Sequence, residues 1–172
     1  FMQKQLNLKV KFRESFRPFA PSILRDKLSE WYELDIDSPY MLFVSRINKN
    51  LIIETNNRDT SLFGIEKLNI IRSKVPAVTH IDYTSRIQTV HKDTNIKFHL
   101  LISKFSNYTN CPLLVNTSFN IRGEPIVCDP SDALKCFLGT DLDALAIGNF
   151  LLFKNNQDPK LKRNYTYDYE LD

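Results

Sequence analysis

Apolar residues recur along this chain at two spacings, and each spacing predicts a different element. Ile96, Leu100, Leu101, Phe105 and Tyr108 fall three to four apart, which predicts a helix capped by Thr94 and ended by residues 107–110. Asp129-Pro130-Ser131-Asp132 predicts a second helix, with Asp129 as cap, proline in the first turn and Gly139 as the stop. Ile23, Leu24, Leu28, Trp31 and Tyr32 allow a short helix over residues 22–33. Alternating or β-branched runs predict strands at residues 40–47, 77–82, 85–90, 144–147 and 150–153. Asn48-Lys49-Asn50 predicts a hairpin turn to residues 51–53, and Gly148-Asn149 predicts another. Residues 4–24, interrupted by Pro18 and Pro21, read as an irregular basic segment. Residues 54–74 read as a loop, and 155–172 as a tail or docking arm. Strands interspersed with helices and at least one hairpin give an α/β class, with helices covering a mixed sheet.

Composition narrows the function classes. Hydrophobic residues make up 42% of the 172 and charged residues 25%, a balance that suits one folded domain and excludes a disordered chain. No apolar run approaches the roughly 20 residues of a membrane-spanning helix. With no signal-peptide pattern at the N-terminus, the expected location is the cytoplasm. A net charge of +3 is too small to call for nucleic acid. Cys111, Cys128 and Cys136 are odd in number and lack CxxC spacing, so buried free thiols are expected and no metal site is indicated.

The candidate chemistry lies in two stretches. In Pro112-Leu113-Leu114-Val115-Asn116-Thr117-Ser118-Phe119-Asn120-Ile121-Arg122-Gly123-Glu124-Pro125 an apolar run gives way to polar residues at alternate positions. If the chain stays extended, Asn116, Ser118, Asn120 and Arg122 face one way. Amides, a hydroxyl and a guanidinium suit a small planar group joined to a phosphate. Lys11-Phe12-Arg13-Glu14-Ser15-Phe16-Arg17-Pro18-Phe19-Ala20-Pro21-Ser22 adds three cations on a proline-stiffened segment, able to meet an anion at low ordering cost. Arg86, sharing a strand face with Gln88, is a further anion ligand, and a neutral His80 is able to donate a bond or shuttle a proton. The chain has no Walker loop, GxGxxG or nucleophile elbow and only 4 glycines, so side chains must grip any nucleotide.

These stretches, with Pro76-Ala77-Val78-Thr79-His80-Ile81-Asp82, Arg86-Ile87-Gln88-Thr89-Val90 and residues 143–152, resemble the C-terminal domain of the O-carbamoyltransferases. That family includes nodulation-factor, cephamycin-type and tobramycin carbamoyltransferases, and the resemblance runs over about residues 6–154. It implies a YrdC-like twisted open sheet that takes carbamoyl phosphate and ATP, with Mg²⁺ carried by the ATP, and forms a carbamoyl-adenylate. An N-terminal ASKHA-like domain, outside this chain, is then expected to transfer the carbamoyl group to a hydroxyl. By motif, Lys11, Arg13 and Arg17 bind phosphates, Arg86 meets carbamoyl phosphate, and Asn116 and Ser118 read its amide. Asn120 and Arg122 lie beside the nucleotide. Arg86, Ser118, Lys11 and His80 are the candidate catalytic groups, with Ser118 not a nucleophile. Fixed cations stabilise redistributing phosphate charge without one. Tyr83 and Ser85 stand where the family usually has Gly and Ala, which puts the turn that aims Arg86 in question.

Overall fold

The computed structural model describes residues 2–54, 62–68, 70–162 and 169. In chain order the elements are α1 (Met2–Lys9), β1 (Ala20–Leu24), α2 (Leu28–Trp31), β2 (Phe43–Arg46), α3 (Ile65–Leu68), β3 (Thr84–Val90), α4 (Ile96–Thr109), β4 (Leu113–Asn116), α5 (Pro130–Gly139), β5 (Ala144–Ile147) and β6 (Phe150–Phe153). The class is α/β, as expected. The chain folds as two compact units, one discontinuous (Phe1–Arg17 with Ser118–Asp172) and one continuous (Pro18–Thr117).

The continuous unit holds a four-stranded mixed sheet in the order β2-β3-β1-β4. β1 runs parallel to β3 and antiparallel to β4, while β2 and β3 are antiparallel. All five β1 residues are buried, as a strand paired on both sides requires. Pro21 is tolerated there because it pairs only with Val115 of β4, and the register with β3 begins at Ser22. α4 packs Ile102 and Phe98 onto Leu24, Val90 and Leu114. Its cap is Asn95, one residue past the expected Thr94: Asn95 Oδ1 accepts from Phe98 N–H at 3.2 Å. Asn110 ends the helix at φ 56°, the left-handed conformation that asparagine tolerates.

In the discontinuous unit, Asp129 Oδ1 accepts from Asp132 N–H at 2.9 Å, forming the expected cap of α5. α5 then buries Ala133 and Phe137 against Leu145 of the β5–β6 hairpin. Gly148 turns that hairpin at φ 56°, as its sequence predicts. Lys154 Nζ donates to the Phe137 and Thr140 carbonyls, so a cation closes the C-terminal end of α5.

Several sequence expectations fail for local reasons. Residues 4–24 are not irregular, since α1 and β1 take both ends of that segment. Residues 22–24 are strand, and only Leu28–Trp31 is helical in the predicted 22–33 helix. Residues 51–53 do not form a hairpin with β2: β2 pairs with β3, and Ile52 bridges to Ser73 instead. Residues 77–82 are a 3-10 turn and a loop, because Pro76 opens a turn at Pro76–Val78. Part of the predicted 54–74 loop (55–61 and 69) and most of the predicted tail (163–168, 170–172) lie outside the described residues. Of the thiols, Cys136 is buried, Cys111 half-buried and Cys128 exposed.

Candidate functional site

In the discontinuous unit, Lys11, Arg13, Arg17, Ser118, Asn120 and Arg122 line one cleft of about 440 Å³ with residues 121 and 123–125. The expected polar stripe is built differently from its prediction. β4 stops at Asn116, so Ser118, Asn120 and Arg122 are loop residues. Glu124 N–H bonds back to Ile121 C=O at 3.3 Å, closing a tight turn with Gly123 at φ 77°. Glycine at the third position of a four-residue turn supplies that angle without steric cost.

Lys11 is the hub of this loop. Only 4% exposed, it donates through Nζ to Ser118 O at 2.5 Å, Asn120 Oδ1 at 2.6 Å, Asn120 O at 2.8 Å and Ser118 Oγ at 3.1 Å. Ser118 Oγ in turn donates to Asn120 Oδ1 at 2.6 Å, and Asn120 Nδ2 donates to Glu124 O at 2.7 Å. Burial and the neighbouring Arg13 push the Lys11 ammonium down to about 8, while Cys136 and Glu124 pull the other way. Glu124 is itself buried, and its carboxylate accepts from Ile121 N–H at 2.8 Å.

The guanidinium groups are held from behind. Asn7, fully buried on α1, donates to Arg17 O at 2.8 Å and Ser15 O at 3.2 Å and accepts from Arg13 Nε at 2.7 Å. One amide thus fixes the 12–17 turn and orients Arg13. Phe12 takes φ 47° between Lys11 and Arg13, a strained conformation held by this framework. Arg17 pairs with Glu14 at 2.8 Å, and Arg122 lies 3.9 Å from the same carboxylate.

In the continuous unit, Arg86, Gln88, Ser22 and Asn116 share one face of the sheet. Ser22 Oγ and Asn116 Nδ2 both donate to Gln88 Oε1, at 2.5 and 2.7 Å, and Asn116 also reaches Met41 Sδ at 3.5 Å. Asn116 is therefore engaged by its own sheet, while Arg86 is exposed on β3. His80 is in a turn, not on a strand, with Nδ1 3.2 Å from Thr84 Oγ1. Burial lowers its pKa, which favours the neutral imidazole. Asp82 Oδ1 accepts from Thr84 N–H and Oγ–H, fixing the same turn.

Tyr83 resolves the question raised by its departure from glycine. It adopts φ 66°, the left-handed conformation a glycine takes freely, and its ring lies under the Arg46 guanidinium at 5.8 Å. A bulky residue thus bears the strain of the turn before Arg86. Tyr83→Gly is expected to raise the urea midpoint, adding about 0.5–1 kcal/mol of stability. An unchanged or lower midpoint means the ring's contacts outweigh the strain.

The model of the carbamoyltransferase C-terminus matches residues 1–154. The chain belongs to the carbamoyltransferase C-terminus family. The uncharacterized protein sll1178 of Synechocystis is 50% identical over 172 residues, covering 99% of this chain and 28% of that protein. The nodulation protein NolO of Bradyrhizobium diazoefficiens is 41% identical over 153 residues, covering 87% of this chain and 24% of its own length. The uncharacterized protein MJ1051 of Methanocaldococcus jannaschii is 36% identical over 152 residues, 88% of this chain and 26% of its own. The chain spans about a quarter of the length of these relatives.

Within this carbamoyltransferase C-terminus, sequence reading finds the cations but misses Asn7, Gln88 and Glu124, which hold them or their neighbours. The available signal was the Lys11-x-Arg13 and Ser118-x-Asn120 spacing, which juxtaposes a buried cation with its oxygen acceptors. Nothing in the local pattern marks Asn7, since α1 is mostly polar. No helix among the described residues is long and apolar enough to cross a membrane.

Proposed function

We propose that this domain binds ATP through the cleft of its discontinuous unit and carbamoyl phosphate through Arg86, as part of a carbamoyltransferase. The observation that carries the reading is the Lys11 hub: it fixes the Ser118–Asn120 loop in the cleft that Arg13, Arg17 and Arg122 also line. Charge-assisted bonds to phosphate contribute about 1.5–3 kcal/mol each before ordering costs, enough for micromolar to millimolar binding. One water hydrolyses carbamoyl phosphate, cleaving its carbamoyl–phosphate linkage to give carbamate, inorganic phosphate and a proton. A carbamate oxygen then attacks the α-phosphorus of ATP and expels pyrophosphate, leaving a carbamoyl-adenylate. Arg13, Arg17 and Arg122 stabilise charge on the phosphates, and Mg²⁺ arrives with the nucleotide. Lys11 and Ser118 act as positioning groups, because each already spends its donors on the loop. His80 is neutral and suited to donating a bond to a phosphoryl or carbamoyl oxygen. Transfer to a hydroxyl acceptor belongs to the further, ASKHA-like length that full relatives carry.

Calorimetry with MgATP and with carbamoyl phosphate tests the two binding steps, and pyrophosphate exchange that depends on carbamoyl phosphate tests the chemistry. Arg86→Ala is expected to lose most carbamoyl phosphate binding and keep ATP binding. Binding without exchange would leave an anion-binding module in place of an enzyme. ATP affinity is also expected to fall several-fold as pH rises through about 8, where Lys11 gives up its proton. A flat profile from pH 7 to 9.5 contradicts the role given to that charge.

A further inference from the structure

We infer that Glu14 is a built-in competitor for the cleft's anion, a carboxylate that occupies two of the phosphate-binding guanidinium groups and so tunes the affinity and charge preference of the site. The inference rests on the ATP reading above.

Glu14 Oε2 lies 2.8 Å from Arg17 Nε, and Oε1 lies 3.9 Å from Arg122 Nη1. Both arginines line the cleft, Arg17 from the N-terminal segment and Arg122 from the turn closed by Gly123. One carboxylate therefore spans the two chain segments that meet at the cleft, as a phosphate would. Glu124, the acid that lines the cleft itself, is different: its carboxylate is buried and committed to Ile121 N–H, so it is structural. Glu14 is about two-fifths exposed. Its charge is held ionised by its own backbone N–H and by Arg17, Arg122 and Arg13.

With Lys11 protonated, the cleft's four cations are offset by Glu124 in its lining and by Glu14 beside Arg17 and Arg122. A ligand phosphate that takes Arg17 and Arg122 must either displace the Glu14 carboxylate or bear its repulsion. That repulsion grows with the charge of the anion, so Glu14 weakens the binding of polyphosphates more than that of orthophosphate and restrains the preference of the cleft for high charge.

The test is titration of the intact chain with inorganic tripolyphosphate and with orthophosphate at low salt. Glu14→Gln is expected to bind tripolyphosphate about five- to tenfold more tightly than the parent, the scale of one unit charge at the rim of a solvated cleft. Orthophosphate should gain less, so that the preference for the polyphosphate widens. Glu14→Asp, which keeps the charge, should stay near the parent, and the gain should shrink at high salt. Glu14→Ala supplies a second charge-free variant should the glutamine fold poorly. If the parent binds tripolyphosphate and neither charge-free variant binds more tightly, the competitor role is overturned while the anion cleft stands. If the parent binds no polyphosphate at all, the ATP reading fails first and the competitor role falls with it.

Discussion

Lys11→Met is expected to cost about 2–4 kcal/mol of stability and to lower ATP affinity by more than tenfold. Methionine matches the lysine stem in bulk, so the loss reports the ammonium and little else. Four oxygens of Ser118 and Asn120 converge on Nζ, and a thioether leaves the two half-buried carbonyls without their charged donor. Replacing a buried charge by an apolar group is sometimes neutral, but only where its partners are replaced too. Urea denaturation read at pH 7 measures the effect. The pH dependence gives a second signature. Lys11 has a folded-state pKa near 8 against an ordinary 10.5, so between those values the folded state binds fewer protons than the unfolded one. The burial penalty of the charge is present below pH 8 and is relieved as pH rises toward 10.5. The parent should gain stability over that window, and Lys11→Met should lack the gain. A variant as stable as the parent, with the same pH slope, removes Lys11 from the centre of the loop.

Asn7→Leu is the second large effect, with an expected loss of about 2–4 kcal/mol from three bonds to a fully buried amide. Leucine is close in volume and cannot hold the carbonyls of Ser15 and Arg17 or the Arg13 guanidinium. ATP binding should fall about tenfold because Arg13 loses its orientation and the 12–17 turn loosens. Asn7→Asp separates the two jobs: it keeps an acceptor for Arg13 and loses the donor to both carbonyls. It should therefore lose most of the stability and less of the affinity. Equal losses of affinity in the two variants would mean that the turn, not Arg13's aim, sets binding.

What was legible in the sequence follows the range of the interactions involved. α4, α5 and the β5–β6 hairpin are written in local terms, by helical spacing, by the Asp129-Pro130 start and by Gly148-Asn149. β1 was not legible, because prolines at 18 and 21 argue against a strand until β4 is seen to pair beside Pro21. The hairpin expected after β2 failed for the same reason: its partner, β3, lies some forty residues further on. The cations of the cleft were legible as residue types, and Arg13, Arg17 and Arg122 do line it. Their geometry was not, since an unbroken strand through residues 116–122 was the simplest reading of alternating polarity. The turn at Gly123 and the pull of Lys11 fold that stretch over. The bond from Asn116 to Gln88 was not legible, because Gln88 comes from another strand.

The hub bond of the cleft joins residues 107 positions apart, with the whole continuous unit strung between them. On an emerging chain Lys11 is made early and lacks its Ser118 and Asn120 acceptors until the last third leaves the ribosome. Closing so long a span costs chain entropy that grows only slowly with length, but it makes this cleft a late event in folding. A truncation before residue 118 would yield the sheet's strands without the 118–125 side of the cleft, whatever its stability. Nascent-chain length, as much as any side chain, then decides when this cleft first closes.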